Sequence, residues 1–312
     1  MSTDRPPTSP AESSAPTAVA DASPQSARTV RDLWELVKPE ISFLVTVSAL
    51  AGFLIGSPDV LDPGVLIATL IGVFASAGGA GVFNHVIEQP LDAQMKRTMQ
   101  RPLPAKRIGR TAAIAFGSVL LAVGLVTLLV LVNALTAGLA ALTAALYVLL
   151  YTPLKQRSKL NTLVGTIPGA LPALGGWTAA TGTLGWGGWA LFGVLLCWQM
   201  PHFLSLAWMY RKDYARAGYV MLPVVEPDGA STARQTLVFT VLLLAVSLTL
   251  GPLGVAGWLY MTGALGLGLW FCHRAYMFYR ELTPQTARSV LMASIWYIPA
   301  LVGFIFVDWL IY

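Results

Sequence analysis

Apolar residues in this chain come in long blocks rather than in the alternation of a half-buried strand or the stripe of a surface helix. From residue 40 onward, blocks of about 20 mostly apolar residues follow one another with short polar breaks. A block of that length crosses the hydrocarbon core of a bilayer as a helix, the form that satisfies its own backbone hydrogen bonds. Nine blocks qualify: 40–57, 64–84, 111–131, 134–152, 161–181, 187–209, 235–252, 254–273 and 290–311. The expected fold is therefore all-α, a polytopic bundle of nine transmembrane helices. The fifth and sixth blocks are rich in Gly and Pro, which membrane bundles tolerate. Residues 1–30 have a different character, dominated by Pro, Ser, Ala and Thr. Such a segment buries too little surface to offset its chain entropy and reads as a disordered cytoplasmic tail ahead of a 31–312 membrane domain. It lacks the apolar stretch of a secretory signal, and Asp4, Glu12 and Asp21 do not suit a mitochondrial presequence.

Composition agrees with the block pattern. Of 312 residues, 55% are hydrophobic and 11% charged, too few charges to cover a soluble protein of this size. A disulfide scaffold is excluded by two lone cysteines, Cys197 and Cys272, and a soluble nucleic-acid binder by the scarcity of charge. The net charge of +5 becomes informative only when placed along the chain. All 20 Lys and Arg lie before the first block or in the loops after the second, fourth, sixth and eighth. The positive-inside rule then predicts a cytoplasmic N-terminus and an outside C-terminus.

Two segments on that basic face carry candidate chemistry. FNHVIEQPLDAQMKRTMQRPLPAKR leaves the second block with Asn84, Glu88 and Asp92 at four-residue intervals, on one face of a helix that Pro90 should loosen. Oxygen donors in that register suit a hard divalent cation such as Mg²⁺. Arg97 and Arg101 follow, with the forked donors that grip phosphate. The bland alternative is a solvated helix end beside ordinary topology charges. CWQMPHFLSLAWMYRKDYARAGYVMLPVV leaves the sixth block. Continued as an ideal helix, it puts His202 and Asp213 on one face about 16 Å apart, with Ser205 and Met209 between them. An ionisable residue at that depth is a functional candidate, although a histidine satisfied by a backbone carbonyl near Pro201 is the plain alternative. Between the fourth and fifth blocks, Lys155, Arg157 and Lys159 offer further charge for an anionic head group. Gly165, Gly169, Gly175 and Gly176 then read as close helix packing or as space kept open for a bulky apolar substrate. His85 stays ambiguous, and His273 reads as interfacial.

The motif Asn-x-x-x-acid-x-x-x-Asp closing the second block resembles the first aspartate-rich motif of UbiA-type intramembrane prenyltransferases. NHVIEQPLDAQMKRTMQRPLP, YTPLKQRSKLNTLVGTIPGALPALGGW and WQMPHFLSLAWMYRKDYARAGYVMLPVV resemble the protohaem IX farnesyltransferase (haem O synthase) branch, over about residues 30–312. The resemblance implies transfer of a farnesyl group from farnesyl diphosphate to a vinyl group of protohaem IX, with water supplying a hydroxyl. It implies Mg²⁺ held by the catalytic set Asn84, Glu88, Asp92 and Asp213, and diphosphate held by Arg97, Arg101, Lys155 and Arg157. It implies haem held as substrate, with His202 as its ligand. Tyr151, Trp198, Phe203 and Tyr214 are candidates to shelter a carbocation. The sequence departs from the pattern in having Glu at position 88, and Ala217 where relatives often carry a second Asp after Asp213. The implied location is the cytoplasmic membrane of a bacterium, with the lipid bilayer as surroundings, no nucleic-acid partner, and room for association with a downstream haem-modifying oxidase or oxidase assembly. An aromatic or quinone-precursor acceptor stays open, as do a transporter and a non-catalytic haem-handling factor.

Overall fold

The computed structural model describes residues 25–57 and 61–311. The predicted disordered tail lies mostly outside the described residues, but the first helix, α1 (Gln25–Leu36), begins within its proposed limits. Trp34, Leu36 and Val37 explain why the chain orders there. Leu36 and Val37 are buried, and Trp34 stacks on Phe74 at 6.1 Å.

The membrane domain follows as α2 (Pro39–Gly56), α3 (Pro63–Asp92), α4 (Arg110–Leu131) and α5 (Ala134–Ala145). A π-helical turn, Leu146–Tyr151, leads from α5 into the short α6 (Thr152–Leu154). The second half contains α7 (Asn161–Thr181), α8 (Trp186–Met209), the short α9 (Arg211–Arg216) and α10 (Leu222–Val225), then α11 (Ala230–Ser247), α12 (Trp258–Glu281) and α13 (Pro284–Ile311). Among the described residues, seven helical stretches, starting at Pro39, Pro63, Arg110, Ala134, Trp186, Ala230 and Pro284, are long and apolar enough to cross a membrane. This is two fewer than the nine blocks of the sequence. The other two blocks correspond to α7 and α12, long helices whose Thr, Gly and Pro residues (α7) or terminal Arg274, Arg280 and Glu281 (α12) dilute their apolar character.

Packing divides the bundle into two groups. In the first, α2 packs on α3 and α7, α3 on α4, α4 on α5, and α5 on α7. In the second, α8 packs on α11 and α13, and α12 lies against both α11 and α13. The contact of α7 with α8 joins them. The second group has the larger apolar core, with Tyr260, Phe271, Phe278 and Tyr297 fully buried. Tyr260 Oη donates to the Ser247 carbonyl oxygen at 3.1 Å, and Tyr297 Oη lies 3.0 Å from Ser247 Oγ, so neither phenol is left unsatisfied. At the crossing of α2 and α7 the backbones touch. A Cβ at Gly176 would overlap the Ala49 carbonyl oxygen, and one at Gly52 the Ala173 carbonyl oxygen. Gly165 and Gly169 are likewise pressed against Tyr151 and Gln199, whereas Gly175 has open space beside it. Small residues thus set the approach of these helices.

The predicted continuous stripe from His202 to Asp213 is not formed. The α8 helix stops at Met209, Tyr210 leaves helical geometry (φ −102°, ψ 17°), and α9 follows as a separate short helix. Arg211 causes this locally: its guanidinium donates to the Trp208 carbonyl oxygen at 2.8 Å and lies over the Trp208 ring at 4.2 Å, satisfying the helix end.

Candidate active site

The loops on the basic face are knitted together. Arg107 donates to Asp32 at 2.9 Å, to Glu35 at 3.0 Å and to the Gln100 carbonyl oxygen at 2.7 Å, tying α1 to the loop after α3. Val220 N–H donates to the Lys155 carbonyl oxygen at 2.8 Å, and Asn161 Nδ2 to the Val220 carbonyl oxygen at 2.7 Å. Met95 packs with Ala217, Tyr219 and Met221. The two segments singled out in the sequence therefore meet.

Beneath these loops α3 stays helical through Pro90 as far as Asp92, preserving the predicted register. Asn84, Glu88 and Asp92 are buried, and each faces a basic group from a different part of the chain. Lys38 Nζ donates to Asn84 Oδ1. Lys155 Nζ donates to Glu88 Oε1 at 2.7 Å. One guanidinium nitrogen of Arg101 reaches both Asp92 oxygens, at 2.9 and 2.8 Å. Asn84 Nδ2 donates to Thr152 Oγ1 at 2.9 Å, and Thr152 donates onward to the Tyr147 carbonyl oxygen at 2.8 Å. That carbonyl belongs to the π-helical turn, a feature that often marks functional sites. His85 is also buried, with Nδ1 3.8 Å from Asp92 and, among the described residues, no hydrogen-bond partner on either ring nitrogen.

Taking a carboxylate out of water costs several kcal/mol unless it is paired. Here two carboxylates and an amide oxygen are matched by three basic groups, so the cluster holds one basic group more than it has acids. Burial lowers the Lys38 ammonium to about 7, with the Glu88 charge working the other way. Lys155 is buried too, but Tyr151, Glu88 and Tyr147 outweigh burial and hold its ammonium well above the ordinary value. Its Nζ also lies 4.6 Å from the centre of the Tyr151 ring. Oxygen donors of this kind fit a hard divalent cation. Once a cation takes the carboxylates, the basic groups become available to an anion.

Other predicted residues are placed differently. Arg97 and Arg157 are exposed and, among the described residues, have no ion-pair partner. Asp213 is more than half exposed and pairs with Arg216 at 3.0 Å. Among the described residues no group of three or more His, Cys, Asp and Glu side chains converges as a metal site, so Asp213 does not join Glu88 and Asp92 here. His202 is separate from the carboxylates. Its Nδ1 lies 2.9 Å from Ser294 Oγ, Trp198 stacks on its ring at 5.2 Å, and Phe203 meets it edge-on at 5.4 Å. Tyr214 packs edge-to-face on Tyr219.

The sequence matches the UbiA prenyltransferase family over residues 45–304. The chain belongs to that family. Within it, the chain is 59% identical over 280 residues to the protoheme IX farnesyltransferase of Salinibacter ruber, covering 89% of this chain and 99% of that protein. It is 44% identical over 288 residues to the protoheme IX farnesyltransferase of Solibacter usitatus, covering 89% and 99%. Family membership makes it a prenyltransferase, of the protohaem IX farnesyltransferase type, and removes the transporter and non-catalytic readings. Solved structures agree on the fold. A digeranylgeranylglyceryl phosphate synthase superposes with a TM-score of 0.79 at 18% identity, covering 91% of this chain and 100% of that one. A UbiA homologue from Archaeoglobus fulgidus bound to GPP and Mg²⁺ gives 0.61 at 14% identity, covering 88% and 99%.

For this UbiA-family chain, sequence reasoning missed Lys38, Thr152 and Ser294. Lys38 reads as one more topology charge ahead of the first block, although its place just before Pro39 at a span entrance is a usable signal. Its left-handed backbone (φ 52°), which aims the side chain into the site, was not legible. Thr152 and Ser294 looked like ordinary small polar residues in or near apolar blocks.

Proposed function

We propose that this prenyltransferase joins the farnesyl group of farnesyl diphosphate to a vinyl carbon of protohaem IX and adds water, giving haem O and diphosphate. The observation that carries the reading is the buried row of Asn84, Glu88 and Asp92 matched by Lys38, Lys155 and Arg101 at one end of an apolar bundle. It suits a strongly charged leaving group at the wet face and an apolar chain and macrocycle between helices.

Asn84, Glu88 and Asp92 are the proposed Mg²⁺ ligands, and Asp213 joins them by leaving Arg216. The bound metal would neutralise charge on the diphosphate oxygens as the ester bond breaks. Arg97, Arg101, Lys155 and Arg157, with Lys38 beside them, hold the diphosphate and orient it in line with the farnesyl carbon. The carbon–oxygen bond breaks and its electron pair leaves with diphosphate. The vinyl π pair forms the new carbon–carbon bond to the allylic cation. Water adds to the cation left next to the macrocycle and loses one proton. Tyr151, Trp198, Phe203 and Tyr214 offer ring faces to cationic carbon. His202 holds the haem.

All nine apolar stretches, α7 and α12 included, span the bilayer in this reading. The N-terminus and the active site face the cytoplasm of a bacterium, and the C-terminus faces outward. The deciding experiment incubates membranes containing the protein with protohaem, farnesyl diphosphate and Mg²⁺ and weighs the product. Haem heavier by farnesyl plus hydroxyl is expected; its absence overturns the proposal.

A further inference from the structure

One hydrogen-bonded chain in the second helix group fixes a proton without reference to any ligand. Ser294 on α13 is fully buried. Its hydroxyl lies 2.6 Å from the Leu291 carbonyl oxygen, which can only accept. The single hydroxyl proton is thereby committed. The same Ser294 Oγ lies 2.9 Å from His202 Nδ1 and has only lone pairs left to offer, so Nδ1 must be the donor. A neutral imidazole with its proton on Nδ1 carries a lone pair on Nε2. Among the described residues Nε2 has no hydrogen-bond partner, and the His202 side chain is only partly buried.

The ring is also held in orientation from α13. Trp198 Nε1 donates to the Ser294 carbonyl oxygen at 2.7 Å, and the Trp198 ring stacks on the imidazole at an interplanar angle of 29°. One residue, Ser294, therefore sets the tautomer through its hydroxyl and the stacking plane through its backbone.

We infer that Ser294 is a positioning residue that locks His202 as the Nδ1–H tautomer and presents the Nε2 lone pair to the iron of the haem substrate. The arrangement is the one metal-ligating histidines use generally, with the distal ring nitrogen donating to a fixed acceptor. This rests on the reading of protohaem as the acceptor.

The test begins without a variant. With three histidines in the chain, ¹⁵N-histidine NMR of the ligand-free protein is simple, and His202→Gln assigns the signal. A protonated Nδ1 and an unprotonated Nε2 are expected; the reverse tautomer overturns the inference. Titration with protohaem then follows the Soret band. Ser294→Ala should bind haem about 10- to 100-fold more weakly, with KM for farnesyl diphosphate unchanged, and Ser294→Thr should restore binding because the hydroxyl returns. If Ser294→Ala binds as tightly as the wild type, or if His202→Ala keeps the wild-type Soret band while haem O still forms, the inference fails and the proposed reaction stands. Wild-type protein that neither binds haem nor makes the farnesylated product overturns both.

Discussion

Asp92 and Asp213 look alike in the sequence, each an acid near the end of an apolar helix with arginines nearby. In the folded chain they are opposites. Asp92 is buried and bound through both oxygens by Arg101 from a loop that folds back over it. Asp213 is exposed and pairs with Arg216 within the same short helix. An exposed pair of this kind contributes about 0.2–1 kcal/mol, whereas removing one partner of a buried pair costs about 3–5 kcal/mol. The difference shows which acid the fold is built around.

That contrast can be broken in order of expected effect. Chelating Mg²⁺ should abolish diphosphate release, and adding it back should restore turnover; release that survives chelation removes the metal from the carboxylate row. Asp92→Ala or Glu88→Ala should lower kcat/KM by about 100- to 1,000-fold, as losing a preorganised electrostatic group does, in protein still inserted in the membrane. Lys38→Ala should weaken farnesyl diphosphate binding by about 10- to 100-fold, a charge-assisted hydrogen bond being worth about 1.5–3 kcal/mol. The same variant should leave the haem titration unmoved. Asp213→Ala is the closest test: as a metal ligand that must first leave its exposed pairing with Arg216, Asp213 should cost about 5-fold when lost, less than Asp92→Ala. Wild-type activity in Asp213→Ala would remove Asp213 from the metal set.

The parts of this site that were legible in the sequence depend on a helix continuing. Asn84, Glu88 and Asp92 share a face because α3 runs unbroken past Pro90, so spacing sufficed. The His202–Asp213 alignment failed because Arg211 caps α8 through Trp208, an interaction that spacing does not encode. The basic partners were half legible. Arg101 and Lys155 read from the sequence as diphosphate-binding charges near the acids, but which acid each meets depends on loop closure. Lys38 needed a backbone angle and Ser294 a neighbouring helix, both products of tertiary structure. The bundle itself was the most readable feature, since about 20 apolar residues have few other stable arrangements in lipid.

The touching backbones of α2 and α7 have an effect at a distance. Lys38 sits at the entrance to α2, and Lys155 in the loop that leads into α7. With Ala49 against Gly176 and Gly52 against Ala173, the two helices form one strut, and its upper ends carry the amines that meet Asn84 and Glu88. Their placement is fixed once, in folding, rather than at each binding event. A methyl group added at Gly176, about 22 Å along the helix from Asn161, would therefore be felt at the membrane face as two misplaced charges.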